Sequence, residues 1–547
     1  MILALVLIIQ FYGYYKVEFN HYHHNSVGLK PPPPSKIRIA NEKDVATGLS
    51  TSNNDVTHDT ASLSCEKFGG PPNDSPFAKD MVYWSDIPSD TSYQSAFFDP
   101  NADEKYLTFE PDGGGWNNIR MAMETVLVMA HAMGRTLVLP PEQKMYLLGK
   151  QSRNKQKVHF SFNDFFQFDS IDAEHMTIIT MEEFLSRTAM KGLLVHKETG
   201  VPTFPPDNRT DWNGLAIHEK QLYEYLRNVT HVRNWKPNNC LVVIPATPEN
   251  DKVDEPPWST IMKDLSTNRP HGEDYINNPT PVNASFELRM REAQSALYRP
   301  ELCMYDDEMQ NAFVVHFMCY HKQRARLLTN FYSFLFFEDW KHDLWAKRFV
   351  RDHIRYLDEL QCAAARVVEE LHSKSLDTEY PHQFDSIHVR RGDFQFKQTR
   401  LDADDLYKKS KHVLTPGMVL FISTDERDKK FFKPFADHYP IFFLDDFKHL
   451  FPDLNTNYYG MLDQLIASKG RVFVGTYFST FSGYINRMRG YYISKYKKPG
   501  YEEGTIESYY FTPDKLFNIM TYYRPITNPW QQEFPISWRD IDHGVVP

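Results

Sequence analysis

Ile387, His388, Val389 and Arg390 read as the end of a buried strand that stops on Arg390, Arg391, Gly392 and Asp393. In an open α/β sheet, ligands bind beyond the carboxyl ends of the strands. Two guanidinium groups placed there offer planar, permanently charged forks suited to phosphate. A strand end closed by a surface salt bridge to Asp393 would use the same residues, so the motif alone leaves both readings open. Residues 471–484, RVFVGTYFSTFSGY, form a second candidate: an apolar strand, Gly475, then Thr476, Ser479, Thr480 and Ser482. Hydroxyls and backbone amides at a strand-to-helix turn suit phosphate oxygens, and Phe481 can face a base or sugar ring. Simple N-capping by Ser or Thr is the alternative.

A third candidate is residues 106–141. A strand at 106–109 leads into Asp112, Gly113, Gly114 and Gly115, which must be a loop because consecutive glycines cost an element interior too much entropy. A helix is expected over 118–133, with Gly134 as its C-cap, and a second strand over 136–139. This strand–loop–helix–strand unit implies a parallel sheet. It carries neither the Gly-x-Gly-x-x-Gly dinucleotide pattern nor a Walker loop. It offers close backbone approach, helix-terminus amides, and the side chains of Asn117, Asn118 and Arg120.

These segments, together with LFISTDERDKKFFKPF at 420–435 and VHFSFNDFF at 158–166, resemble the GDP-fucose O-fucosyltransferase superfamily in order and spacing. The resemblance runs with gaps over about 106–488. It implies a GT-B-like α/β architecture, with two Rossmann-like domains facing a cleft, and GDP-fucose as donor. Carried over position by position, Arg390 resembles the arginine that grips the donor diphosphate and Arg391 the second arginine of related branches. Asn117 resembles the loop asparagine that reaches the reaction centre, and these two, Arg390 and Asn117, are the catalytic candidates. Ser479, Thr480 and Phe481 resemble the segment that holds the nucleotide. His388 fits the strand-end histidine, and Asp393 with Phe394 the acidic-aromatic pair after the arginine. Gly114, Gly115 and Asn118 complete the substrate-binding candidates in the glycine loop. Asp425, after the strand at 419–423, is a contact for base or ribose, or equally a helix-start acid. One branch of the family has a glutamate base where this chain has Gly114, so the general base is unassigned, with Glu110 and Asp112 its only acidic neighbours.

The resemblance further implies inversion at the anomeric carbon, with arginine stabilising the departing diphosphate, so no metal or other cofactor is expected. The run Asp402, Ala403, Asp404, Asp405 superficially matches a metal motif, but acidic residues also favour a helix start, here at 404–413. The acceptor is a hydroxyl of protein Ser/Thr or of a glycan. Use of another nucleotide sugar, and a non-catalytic sugar- or nucleotide-binding descendant, are the alternatives.

Composition sets the frame. The chain has 547 residues and a formal charge of −10, too long for one core and lacking the basic surface of a nucleic-acid binder. Residues 1–15 are apolar and end in aromatics, which reads as a signal anchor, with a cleaved signal peptide as runner-up. Residues 16–90, with Pro31–Pro34 and Ser/Thr/Asn/Asp-rich sequence, read as a flexible stem. The two Rossmann-like domains are expected at 91–375, with a Pro-rich insertion over 234–283, and at 376–547. A long helix at 341–372 would bridge them. Sequons at Asn73, Asn208, Asn228 and Asn283, and five cysteines able to form one or two disulfides, favour a type II protein of the Golgi or endoplasmic reticulum membrane with a lumenal catalytic domain.

Overall fold

The computed structural model describes residues 63–146 (without 83–86, 92), 148, 157–214 (without 169, 170, 172–175), 219–245, 288, 290, 291, 294, 299–496 (without 320–325), 507–518 (without 515), 533, 538, 541 and 542. Those residues belong to one compact unit, His58–Pro547. The expected anchor, Asn283 and most of the insertion lie outside the described residues. Among the described residues, no helix is long and apolar enough to cross a membrane.

The fold is mixed α/β with parallel sheets. Short runs become strands: β1 (Tyr106–Phe109), β2 (Thr136–Leu139), β3 (Ile178–Thr180), β4 (His231–Arg233), β5 (Cys240–Ile244), β6 (Glu301–Met304), β7 (Val314–Phe317) and β8 (Leu335–Phe337), of which β1, β2, β5 and β7 are fully buried. They form a parallel sheet ordered β3-β2-β1-β7-β4 and a small parallel sheet ordered β6-β5-β8. The small sheet was not visible in the sequence reading, which gave residues 240–244 to an irregular insertion.

The later strands are β9 (Phe384–Val389), β10 (Val419–Thr424), β11 (Ile441–Phe442), β12 (Phe473–Thr476), β13 (Ser508–Phe511) and β14 (Leu516–Asn518). Their order is β11-β10-β9-β12-β13-β14, parallel except for the last pair. From β9 the chain first winds to one side, through β10 to β11, and then to the other, through β12 to β13. The carboxyl end of β9 is therefore a topological switch point, where a crevice opens because neighbouring connections leave in opposite directions. β1 occupies the same position in the first sheet.

The helices that matter for the site are α1 (Trp116–Ala132), α2 (Trp340–His353), α3 (Asp358–Lys374), α4 (Ala403–Ser410), α5 (Tyr459–Ala467) and α6 (Thr480–Tyr496). α1 begins two residues before the expected start, and Gly134 follows it with φ 60°, as a glycine beyond a C-cap does. The single bridging helix expected over 341–372 is two helices. The chain breaks at 354–357, where Leu357 N–H donates to the Phe165 carbonyl (3.1 Å) and Tyr356 pairs with Phe166. The break carries Tyr356 into the centre of the molecule. α4 opens on Asp402, whose carboxylate accepts from the Asp405 amide at 2.8 Å, so the acidic run opens a helix as expected, with Asp402 as its N-cap.

Residues 63–82, within the stretch expected to be flexible, are folded onto α3. Cys65 is bonded to Cys362, and Arg366 donates to the carbonyls of Phe68 (2.6 Å) and Gly70 (2.8 Å). A second disulfide, Cys240–Cys303, ties β5 to β6.

The two halves meet on buried charge. Arg120 of α1 pairs with Glu124, and Arg487 of α6 donates to Glu124 (2.6 Å) and to Glu533 (2.5 Å). These four side chains are 3% exposed or less, and the Arg120 guanidinium lies 3.6 Å from the centre of the Tyr484 ring. Arg120, counted from sequence among the side chains that the strand–loop–helix unit offers, is thus engaged in this cluster instead. Breaking a buried ion pair leaves an uncompensated charge, so Arg487→Met should destabilise the protein by about 3–5 kcal/mol in urea denaturation, and a loss under about 1 kcal/mol would contradict the cluster's role.

Candidate active site

The glycine loop is shaped by the two carboxylates that flank it. Asp112 accepts from Arg326 through both oxygens (2.6 Å each), and its Oδ1 also takes the Gly114 amide at 2.7 Å. A Cβ at Gly114 would lie 2.5 Å from Asn118 Nδ2 and 2.7 Å from Asp112 Oδ1, so this position has no room for a longer side chain. Glu110 accepts from Arg227 (2.7 Å) and faces His316 Nε2 at 3.2 Å. Burial alone would raise the Glu110 carboxyl, but His316 and Arg227 together hold it below the usual range. Both acidic neighbours of the loop are therefore engaged in ion pairs. Gly115 is the N-cap position of α1, and Asn117 and Asn118 follow in its first turn.

The edge of the second sheet supplies the cations. The Arg390 amide donates to Thr476 Oγ1 (3.1 Å), which itself donates to the His388 carbonyl (3.0 Å), so β9 and β12 are stitched at the point where both end. The Arg390 side chain pairs with Asp425 through Nη1 and donates to the Asp393 carbonyl (2.9 Å) through Nη2. It keeps 20% exposure. Arg391 is more confined: it donates to Glu426 (2.8 Å) and to the Leu401 carbonyl (2.5 Å) and lies over Phe431 at 4.0 Å. Asp393, beyond them, bonds the Tyr146 hydroxyl from the first half.

His388 is buried, meets Ser482 Oγ at 2.7 Å and stacks on Phe481 with centroids 4.4 Å apart. Burial, with Arg390 nearby, pushes its pKa down to about 3, so the imidazole is neutral at physiological pH. It acts as a ring platform for Phe481 rather than as a cation. Ser479 is buried in the turn before α6, its amide on the Thr476 carbonyl (3.2 Å).

The two switch points touch. Thr480 Oγ1 donates to Asn118 Oδ1 at 3.0 Å, and Gln464 Nε2 donates to Asn117 Oδ1 at 2.9 Å and to the Phe481 carbonyl at 3.2 Å. Gln464 Oε1 in turn accepts from Tyr356 (2.9 Å), which accepts from Trp116 Nε1 (3.1 Å). The glycine loop, the arginine loop and the hydroxyl turn thus converge, although more than 360 residues separate Asn118 from Thr480.

Sequence reasoning missed Gln464 and its neighbour Asp463, both on α5. Asp463 leans toward Ser423, whose register partner in β9 is His388. Its Oδ1 is buried with no hydrogen-bond partner among the described residues, and burial drives its carboxyl up to about 8. The signal was present: an Asp-Gln pair inside the apolar run Met461, Leu462, Leu465, Ile466. Among the described residues, no group of three or more His, Cys, Asp or Glu could hold a metal ion.

The model of the GDP-fucose protein O-fucosyltransferase family matches residues 106–492, well over half of the chain. The chain belongs to that family. It is a fucosyltransferase by that membership. None of the curated proteins compared with it matches. Similar solved structures include NodZ alpha-1,6-fucosyltransferase soaked with GDP-fucose, at 12% identity over 71% of this chain and 92% of that one (TM-score 0.30). They also include POFUT1 in complex with GDP, at 14% identity over 75% and 99% (TM-score 0.31). Fucosyltransferase NodZ from Bradyrhizobium has 11% identity over 71% and 94% (TM-score 0.29). Identities and TM-scores this low leave the family match to decide the matter.

The cross-half contact gives a direct test. A double-mutant cycle on Asn118→Ala and Thr480→Val, read by denaturant unfolding, should give a coupling of about 0.5–1.5 kcal/mol, and additivity would contradict the contact.

Proposed function

We propose that this protein moves fucose from GDP-fucose to a hydroxyl of a protein Ser/Thr or a glycan, with inversion, in a GT-B-like cleft between two Rossmann-like domains. The observation that carries this reading is the meeting of three loops, at 112–118, 390–393 and 476–482, where two parallel sheets change winding direction. Cleaving the sugar–phosphate bond builds negative charge on the diphosphate and positive charge on the anomeric carbon. Arg390, still partly exposed and anchored by Asp425, is the cation placed to take the developing charge, and amides at the start of α6 can share it. The guanidinium does this work, so the reading requires no metal. Arg391 is tied to Glu426 and Leu401, which suits holding the loop in shape while adding to the local positive potential.

The nucleoside end is read by neutral groups. Phe481, backed by His388, offers a ring face to base or ribose, and Asp463, whose Oδ1 has no partner among the described residues, offers a carboxyl that, once ionised, can take paired N–H donors such as those on a guanine edge. Asn117 and Asn118, at the first turn of α1, face the same convergence from the first half. Glu110 and Asp112 are held in ion pairs, and Gly114 replaces the branch glutamate, so proton removal from the acceptor is assigned to neither carboxylate. Two disulfides, and exposed sequon asparagines at 73, 208 and 228, favour a lumenal setting in the Golgi or endoplasmic reticulum, with membrane attachment through residues 1–15.

Two measurements test this function. Arg390→Ala should cut GDP-fucose turnover by about 10²–10³ in kcat, the loss seen when one preorganised transition-state donor is removed, and unchanged turnover would sink the mechanism. Asp463 must be ionised to accept two N–H groups, whereas the free protein keeps it protonated below about 8. Lowering the pH through that value should therefore weaken GDP-fucose binding, and Asp463→Asn should bind more weakly with that dependence gone. Calorimetric affinities independent of pH in the parent protein would exclude Asp463 as the base-reading group.

A further inference from the structure

We infer that Asp425 is a positioning residue that presents the diphosphate-binding loop, and does not contact base or ribose. The inference rests on the donor site proposed above. Asp425 stands one residue past β10, directly across from the end of β9. Its Oδ1 accepts from the Arg391 amide at 2.7 Å. Its Oδ2 accepts from the Gly392 amide at 2.9 Å and pairs with Arg390 Nη1. Three successive residues of the loop are thereby gathered on one carboxylate. Such a set uses three of the carboxylate's roughly four acceptor sites, and with them most of its capacity for a nucleoside hydroxyl or amine.

The loop is built around this contact. A Cβ on Gly392 would lie 2.6 Å from Asp425 Oδ2, so the glycine is what lets the backbone close down on the carboxylate. Glu426, the next residue, holds Arg391 in the same way at 2.8 Å. The acidic pair after β10 therefore orients the basic pair after β9, a carboxylate fixing each guanidinium from behind. An arginine fixed in advance loses less side-chain freedom when it meets a diphosphate, and that saving is the source of the expected affinity. Arg390 gives its Nη1 to Asp425 and its Nη2 to the Asp393 carbonyl, so its fork is held at both tips in the loop. A phosphate oxygen then approaches an arginine whose plane is already set.

The test separates phosphate contact from nucleoside contact. Calorimetric affinities for GDP and for guanosine, the same molecule without its diphosphate, are compared among the parent protein, Asp425→Asn and Gly392→Ala. The expected result is a loss of roughly tenfold or more for GDP in both variants, on the scale of a hydrogen bond to a charged group, with guanosine unchanged. A misfolded variant would lose both ligands together with its cooperative thermal transition. With the transition intact, equal loss of GDP and guanosine overturns the inference in favour of nucleoside contact. GDP affinity unchanged in both variants overturns it outright while leaving the donor site standing. Failure of the parent protein to bind GDP removes the donor site itself, and this inference with it.

Discussion

Two arginines and two glutamates, closed off from water between α1 and α6, set the relation of the glycine loop to the hydroxyl turn. Charges in a low-dielectric interior tolerate little displacement, because each ångström of separation costs more than it would in water. Arg120 and Glu124 belong to the helix that begins at the glycine loop, and Arg487 to the helix that begins at the hydroxyl turn. Fixing these helices against each other fixes their N-termini, which follow the glycine loop and the hydroxyl turn at the carboxyl ends of β1 and β12. Glu533, from the C-terminal region, completes the set, so a segment without a recognisable motif has a defined structural task.

The same logic explains how the cleft divides its chemistry. Carboxylates near the loops are spent on holding shape: Asp112 with Arg326, Glu110 with Arg227 and His316, Asp425 and Glu426 with the paired arginines. Of the groups at the meeting of the loops, the Arg390 guanidinium keeps 20% exposure, and Thr480 and Phe481 are half-buried. That inventory suits the departure of an anion more than the deprotonation of an acceptor. His388, neutral and stacked on Phe481, keeps the strand end compact without burying a charge.

Much of this site was legible in the sequence, because its parts sit where local rules are strong. Consecutive glycines force a loop, paired arginines and a glycine end a strand, and Ser/Thr clusters after an apolar strand mark a helix start. The strand and helix at 106–133, and the strands at β9, β10 and β12, follow from apolar runs bounded by such signals. What stayed hidden depended on distant partners. Arg120 looks like a loop cation until Glu124, Arg487 and Glu533 are brought to it. Residues 354–357 carry no proline or glycine, and their break is imposed by contacts with Phe165 and Phe166. β5, β6 and β8 are too short and too far apart to be paired by pattern, and Asp463 gains its meaning only from the packing that buries its carboxyl.

The central claim is that the arginine loop and the hydroxyl turn enclose the diphosphate of a guanosine nucleotide. Crystals of the protein grown with GDP test it most directly. Density for the diphosphate between the Arg390 guanidinium and the amides at the start of α6, with the base toward Phe481 and Asp463, is the expected result. GDP bound elsewhere, with no phosphate beside the Arg390 guanidinium, would contradict the account.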